Sequence, residues 1–130
     1  MPRSAPTALA ALLAASLVAL PAAAVAKGGG NRGDVLKVGS CTASSSAKLK
    51  LSPENGRIEV EFEVDQNRNG VGWTWSLKRA GVRLSGGSAV TRPPSGSFTV
   101  RRLVSNRAGT DTIVATATRG GEKCTVIASI

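Results

Sequence analysis

The chain contains no histidine and no tyrosine, and its one methionine is the initiator. Histidine is the usual general acid and base near neutral pH. A serine or cysteine nucleophile here would need another base, and no residue pattern marks one. Histidine is also a frequent zinc ligand. We therefore expect a protein that is not an enzyme and that holds no cofactor.

Acidic residues are scarce, because 8 Asp and Glu stand against 17 Lys and Arg, a formal net charge of +9. Paired carboxylates can cleave glycosidic bonds. However, five of the eight acids lie between Glu54 and Asp65, and four of those five alternate along the chain. Alternation places them on one face of an extended strand. That arrangement is typical of a solvated face and argues further against catalysis.

Only one long apolar run is present, at residues 9–20. It is too short to cross a bilayer, which needs roughly 20 residues. Arg3 precedes the run, and Ala24-Val25-Ala26 supplies a small–x–small cleavage site. These features predict a cleaved signal peptide at residues 1–26 and a secreted protein without a membrane span. Residues 27–34, KGGGNRGD, are expected to form a flexible leader before a single domain at residues 35–130.

Cysteine is limited to Cys41 and Cys124, and both follow the predicted signal peptide. An even count in an exported chain indicates a disulfide. A zinc site is the weaker alternative, because no histidine is present and the spacing is wrong. The bond would close a loop of about 84 residues, for which chain-entropy arguments give roughly 4–5 kcal/mol. We predict a structural disulfide that joins the first strand to the last.

Short segments with a two-residue hydrophobic period fill the remaining sequence. In residues 57–65, RIEVEFEVD, apolar and acidic side chains alternate without interruption. This pattern predicts an antiparallel strand with one face on a core. Further strands are predicted at residues 35–41, 48–51, 73–78, 82–84, 97–103, 111–118 and 123–130, with turn signals between them. No segment has a helical period, so we predict an all-β sandwich or barrel.

Residues 96–130, which include AGTDTIVATA and RGGE, resemble the last three strands of a bacterial immunoglobulin-like domain. The stretch GVGWTWSLKRAG resembles strand C of that family, which carries the core tryptophan. The resemblance covers residues 57–130 and implies a single immunoglobulin-like antiparallel β-sandwich. Two features of antibody domains are absent. Val60 or Phe62 and Ala115 stand at the positions of the usual disulfide, and Ile113 stands at that of the corner tyrosine.

Basic residues dominate the middle of the chain, where eight Lys and Arg and no acid lie between Gln66 and Thr110. Lys48, Lys50 and Arg101 are expected to neutralise Glu59 and Glu61 across strands, which leaves the basic excess elsewhere. Such a surface attracts anionic polymers, glycans or membranes, or it only keeps the protein soluble. Nucleic acid would bind through phosphates alone, because no exposed aromatic platform is evident. The candidate anion-binding residues are Lys78, Arg79, Arg83, Arg92, Arg102 and Arg107.

Two further surfaces are candidates for contact. The outward face of the sheet with strands C, F and G is predicted to be rich in threonine; it either docks a strand or glycan or reflects strand propensity. Residues 91–96, TRPPSG, contain Pro93 and Pro94, which would pre-order a loop and lower the entropy of binding. The same prolines also end strands.

The stretch DQNRNG at residues 65–70 matches the opening half of a calcium loop. Asp65, Asn67 and Asn69 would then be ligands, but position twelve, normally a glutamate, is Ser76. Asn-Gly is also the strongest signal for a short hairpin turn. We predict a structural turn at the tip of a β-hairpin, with a weak calcium site as the alternative.

Taken together, these features predict a secreted, non-catalytic binding or surface-interaction module. Its expected partner is an anionic polymer of the cell envelope or an extracellular protein. The alternative is a proteinaceous inhibitor or toxin-like effector that uses the proline-rich loop at residues 91–96.

Overall fold

Alternating hydrophobicity produces strands throughout the part of the chain that the structure, a computed structural model, describes, which is residues 33–130. The strands are β1 (Val35–Val38), β2 (Ser40–Cys41), β3 (Ser46–Glu54), β4 (Arg57–Asp65), β5 (Gly72–Arg79), β6 (Val82–Val90), β7 (Ser97–Ser105), β8 (Thr112–Arg119) and β9 (Glu122–Ser129). No helix lies within residues 33–130. The predicted signal peptide and most of the predicted leader lie outside the described residues.

The strands form two antiparallel sheets. One has four strands in the order β1-β3-β4-β7, and the other has five in the order β2-β9-β8-β5-β6. Tight hairpins join β3 to β4, β5 to β6 and β8 to β9. In the first of these, Asn55 and Gly56 both have positive φ, as a two-residue hairpin turn requires. The predicted all-β class is confirmed, and the arrangement is compatible with a sandwich.

The core lies between the two sheets and is built from the inward residues of the alternating strands. In β4, Ile58, Val60, Phe62 and Val64 are fully buried. From the other sheet come Trp73, which is 2% exposed, and Trp75, which is 4% exposed. Burial of these side chains supplies the main driving force for folding.

The predicted strand at residues 35–41 is wrong in one respect, because it is two strands in different sheets. β1 pairs with β3 in the four-stranded sheet, and β2 pairs with β9 in the five-stranded sheet. The chain changes sheet at Gly39, whose N–H donates to the Ala47 carbonyl at 2.9 Å. A Cβ on Gly39 would collide with the carbonyl oxygen of Thr125, so only glycine fits this close approach.

The predicted disulfide is confirmed, since Cys41 and Cys124 are bonded. The two residues are register partners on β2 and β9, and their Cα atoms lie 4.0 Å apart. The bond attaches the N-terminal segment to the last strand. Because β1 belongs to the other sheet, this short segment also links the two sheets.

Several strands are longer than predicted. β3 extends over Ser46–Glu54 rather than residues 48–51, and β6 extends over Val82–Val90 rather than residues 82–84. The end of β6 has small residues, SGGSAV, whose side chains give no hydrophobic period. It is nevertheless paired with β5 as far as Val90, with a register shift opposite Leu77 and Lys78.

Candidate anion-binding surface

The outward residues of the five-stranded sheet form a face with cations, hydroxyls and no acid. We call it the cationic face. Its charged members are Lys78, Arg83 and Lys123, and its hydroxyl members are Ser40, Thr74, Ser76, Ser88, Thr112, Thr116, Thr118, Thr125 and Ser129. Val90, Val114 and Ile127 are the aliphatic members, and Ile127 is 57% exposed. The predicted outward orientation of the threonines is confirmed, because each is exposed or half-buried.

Lys78 and Arg83 lie directly opposite each other on β5 and β6. Both are exposed. The Arg83 guanidinium passes over Gly86, where a Cβ would collide with it, so the absence of a side chain there makes room for the arginine. Like charges in directly opposite positions destabilise a sheet. This pair therefore has a cost that no neighbouring acid offsets.

Acidic residues are found elsewhere in the described structure. The five-stranded sheet and the loop that enters it contain two acids, Asp111 and Glu122, which are 2% and 7% exposed and point inward. Glu122 accepts hydrogen bonds from the backbone N–H and the hydroxyl of Ser45, at 3.2 and 2.9 Å. Neither carboxylate reaches the outer face.

The outer face of the four-stranded sheet is different, because it contains acids and several of its cations are in ion pairs. Lys48 lies 3.2 Å from Glu63, and Arg101 lies 3.2 Å from Glu61. Lys48, Lys50 and Arg101 flank the acidic strand as expected, but the paired glutamates are Glu61 and Glu63 rather than Glu59 and Glu61. Lys50 instead forms its ion pair with Asp34, at 3.4 Å. Glu59 faces Ser52 and Leu103 in the register, so no cation lies directly opposite it.

Arg79 does not belong to the exposed set in which the sequence placed it. It is 6% exposed, and it donates to the Ser105 carbonyl at 2.6 Å and to Asp111 Oδ1 at 3.1 Å. Its position on β5 has the same parity as Trp73, Trp75 and Leu77, so its side chain points into the sandwich. Arg79 is therefore a buried structural residue rather than part of an exposed anion-binding surface.

Arg102 closes the gap between the edge strands β6 and β7. Its Nε donates to the Ser85 hydroxyl at 3.1 Å, and its guanidinium carbon lies 4.9 Å from the centre of the Trp75 ring. The side chain is exposed, so it remains able to contact a ligand. The cation–π contact also gives it a structural role.

The remaining predicted cations lie at opposite ends of the molecule. Arg92 follows β6, and Arg107 lies in the loop between β7 and β8, where its N–H donates to Asp111 Oδ2 at 2.9 Å. Both are exposed. The six predicted residues therefore do not form one patch: Lys78 and Arg83 are adjacent on the outer face, Arg79 is buried, and the other three lie at the sheet edge or in loops. Sequence reasoning missed Lys123, although the period of residues 123–130 places it outward.

The stretch DQNRNG is not a hairpin tip, and that prediction is wrong. β4 and β5 belong to different sheets, so residues 66–71 cross between them. Asp65 Oδ1 accepts a hydrogen bond from the Asn67 N–H at 2.9 Å, and Asn67 has a φ of 56°. This local turn uses the carboxylate that calcium would need. Within residues 33–130, no group of three or more His, Cys, Asp and Glu could hold a metal ion.

The crossing loop is instead joined to the proline-rich loop at residues 91–96. Thr91 is 1% exposed; its hydroxyl donates to the Arg68 carbonyl at 2.6 Å and accepts from the Val71 N–H at 2.9 Å. Gly96 packs so closely on Arg68 that a Cβ would collide with its backbone. The two motifs that the sequence singled out separately thus contact each other in one cluster where the chain passes between the two sheets.

No protein-family model, curated protein or solved structure matches this chain. Among residues 33–130, no helix is long and apolar enough to cross a membrane. The function is therefore inferred from the geometry of the surfaces.

Proposed function

We propose that this chain is an exported, immunoglobulin-like β-sandwich that binds an anionic polymer of the cell envelope and performs no catalysis. The cationic face carries this proposal. It combines the adjacent cations Lys78 and Arg83 with Lys123, and it contains no acid. A field of one sign across a flat face attracts polyanions and raises their local concentration.

Strand order supports the immunoglobulin-like assignment. β3, β4 and β7 follow the order of strands A, B and E, and β9, β8, β5 and β6 follow that of strands G, F, C and C′. Trp75 lies in the strand that corresponds to C, and it is buried in the core. β1 and β2 are additions to this pattern.

Export is supported by the disulfide and by the sequence that precedes the described residues. Disulfides persist in oxidising compartments and are rare in the cytosol. The Cys41–Cys124 bond is consistent with such a location. The apolar run and the Ala24-Val25-Ala26 site match a cleaved signal peptide. Mass spectrometry of the exported protein, with Lys27 as its first residue, would test this part.

The binding proposal is tested by comparing cations on the two sheets. We expect polygalacturonate and inorganic polyphosphate to bind the wild-type protein, with affinity that falls as salt rises from about 50 to about 200 mM. Lys78→Thr/Arg83→Thr should weaken binding by about tenfold, which corresponds to about 1.4 kcal/mol. Lys48→Thr/Lys50→Thr removes the same formal charge from the opposite face and serves as the matched control.

Isothermal titration calorimetry measures these affinities, and a cooperative melting transition well above the assay temperature verifies that each variant is folded. Equal losses in the two double variants would place binding elsewhere than the cationic face. Absence of binding to either polymer at low salt would leave the basic surface with a solubilising role only.

A second candidate function is inhibition of an extracellular enzyme through residues 91–96. The observation in its favour is that hydrogen bonds to residues 66–71 anchor both ends of this loop, at Thr91 and Gly96, and that Pro93 and Pro94 between them are exposed. A pre-ordered loop loses little entropy on binding. A panel of extracellular proteases, assayed with the wild-type protein and with Pro93→Ala/Pro94→Ala, would detect this activity as inhibition that the variant lacks.

A further inference from the structure

We infer that the polymer is an acidic polysaccharide whose sugar hydroxyls contact the rows of threonine and serine on the cationic face, while its carboxylate or sulfate groups reach Lys78, Arg83 and Lys123. This inference rests on the proposed function and narrows it to one ligand class. It is carried by the register of the sheet, by the charge pattern and by the burial of every aromatic side chain.

The hydroxyls form rows because the strands are in register. Thr125 faces Thr116 and Thr116 faces Ser76, across β9, β8 and β5. The next row contains Thr118 and Thr74 together with Ser88. Neighbouring strands lie about 4.8 Å apart, and alternate residues on one strand lie about 6.7 Å apart. The result is a regular array of groups that both donate and accept hydrogen bonds, as sugar hydroxyls do.

These hydroxyls are available to a ligand. At one edge of the face, Thr112 and Ser129 bond to each other at 2.7 Å. Thr74, Thr116 and Thr118 have no such partner within residues 33–130. A ligand that pairs with them therefore displaces water and breaks no internal hydrogen bond of the protein.

The cations lie at a spacing that suits an extended chain. Lys123 faces Thr118 on β8, whereas Lys78 faces Val114 on the same strand. The two lysines are therefore two inter-strand spacings apart, with β8 between them, and four residues apart along the strand direction. With the usual spacing between strands and between residues along a strand, their Cα atoms are about 17 Å apart. One small anion does not bridge that distance. A polymer with charges at intervals does, and the row of Thr125, Thr116 and Ser76 lies between its anchored ends.

The aromatic residues distinguish a polysaccharide from a nucleic acid. The chain has two Trp, two Phe and no Tyr. Trp73, Trp75, Phe62 and Phe98 are all buried, with at most 6% of each exposed. Binding of single-stranded nucleic acid relies on stacking of bases on exposed aromatic rings. The cationic face provides hydroxyls where such a protein would provide rings.

The inference is tested with a variant that removes hydroxyls and keeps every charge. Thr74→Val/Thr116→Val/Thr118→Val retains the β-branched shape that suits a strand. Ser52→Ala/Thr99→Val removes hydroxyls from the outer face of the four-stranded sheet and is the control. Calorimetric titrations use polygalacturonate as the acidic polysaccharide and inorganic polyphosphate as a polyanion without hydroxyls, matched in concentration of charge. Melting temperatures and gel filtration verify that each variant is folded and monodisperse.

We expect the triple variant to bind polygalacturonate about five to ten times more weakly than the wild type and to bind polyphosphate with unchanged affinity. The control variant should bind both polymers as the wild type does. If the triple variant loses no affinity for polygalacturonate, or loses it equally for both polymers, the polysaccharide inference is overturned while the proposed anion binding remains. If the wild type binds neither polymer, both are overturned.

Discussion

The outer faces of the two sheets differ in how their charges are arranged, because one has ion pairs and the other has cations without acidic partners. On the four-stranded sheet, lysine and arginine alternate with glutamate across strands, and ion pairs of 3.2 Å join Lys48 to Glu63 and Arg101 to Glu61. On the five-stranded sheet, Lys78 faces Arg83 and no acid is near. The first arrangement follows from stability alone, since opposite charges across strands are favourable. The second opposes stability, which is why we assign function to it.

The largest expected effect comes from breaking the link between the two sheets. Cys41→Ser/Cys124→Ser removes the disulfide that fixes the segment spanning both sheets, and we expect a loss of about 4–5 kcal/mol in the free energy of unfolding. A loss this large is comparable with the whole stability of a small domain. Urea denaturation of the variant and of the reduced wild type measures it. A loss below about 1 kcal/mol would show that β2 is held by its strand pairing alone.

The next effect concerns the inward acids, which explain why the cationic face has no acidic neighbours. Asp111→Ala leaves Arg79 buried without its partner and the Arg107 N–H without an acceptor. We expect a loss of about 3–5 kcal/mol. The double variant Arg79→Met/Asp111→Ala should be less damaging than Asp111→Ala, because it leaves no uncompensated charge. If Asp111→Ala unfolds at the same urea concentration as the wild type, Arg79 is not held inward by this carboxylate.

A smaller loss of stability is expected when a hydroxyl that is hydrogen-bonded within the fold is removed, and almost none when the hydroxyl is available to a ligand. Thr91→Val removes a buried hydroxyl with two hydrogen bonds and should cost about 2–3 kcal/mol. Thr116→Val makes the same chemical change on the cationic face and should cost almost nothing. Urea denaturation compares them directly. A similar cost at both positions would mean that Thr116 has a structural partner.

The smallest effect has opposite signs on the two faces. Lys78→Thr relieves the repulsion with Arg83 and should stabilise the protein by about 0.5 kcal/mol at low salt. Lys48→Thr removes an exposed ion pair and should destabilise it by at most about 1 kcal/mol. Both effects should shrink as salt is added. If both variants change the free energy of unfolding in the same direction, the two faces do not differ electrostatically as we describe.

Much of the fold could be predicted from the sequence, because alternation records which side of a strand is buried. Residues 57–65 are one strand as predicted, and the disulfide pairing is confirmed. The failures lie where tertiary contacts override local signals. The Asn69-Gly70 pair favours a hairpin locally, yet the segment crosses between sheets and bonds to Thr91. The glycines of β6 give no hydrophobic period, so the sequence does not reveal that this segment is a strand. It forms a strand because it pairs with β5.

The candidate site was predicted less well, because a count of charges does not show whether each side chain points inward or outward. Arg79 has the parity of the buried tryptophans on its strand, and that signal was present in the sequence. Its partner Asp111 is 32 residues away, and nothing local links the two. Lys123 was overlooked because it lies outside the acid-free stretch. Only the register brings it onto the same face as Lys78 and Arg83.

The most direct test of the difference between the two faces is a titration of ¹⁵N-labelled protein with polygalacturonate at about 50 mM salt, followed by two-dimensional NMR. We predict that the amide signals that shift most belong to β5, β6, β8 and β9, around Lys78, Arg83 and Lys123. The signals of β3 and β4 should change little, because Lys48 and Lys50 are already in ion pairs and the glutamates of β4 repel a polyanion. Equal shifts on both faces, or larger shifts on β3 and β4, would contradict the assignment of binding to the cationic face.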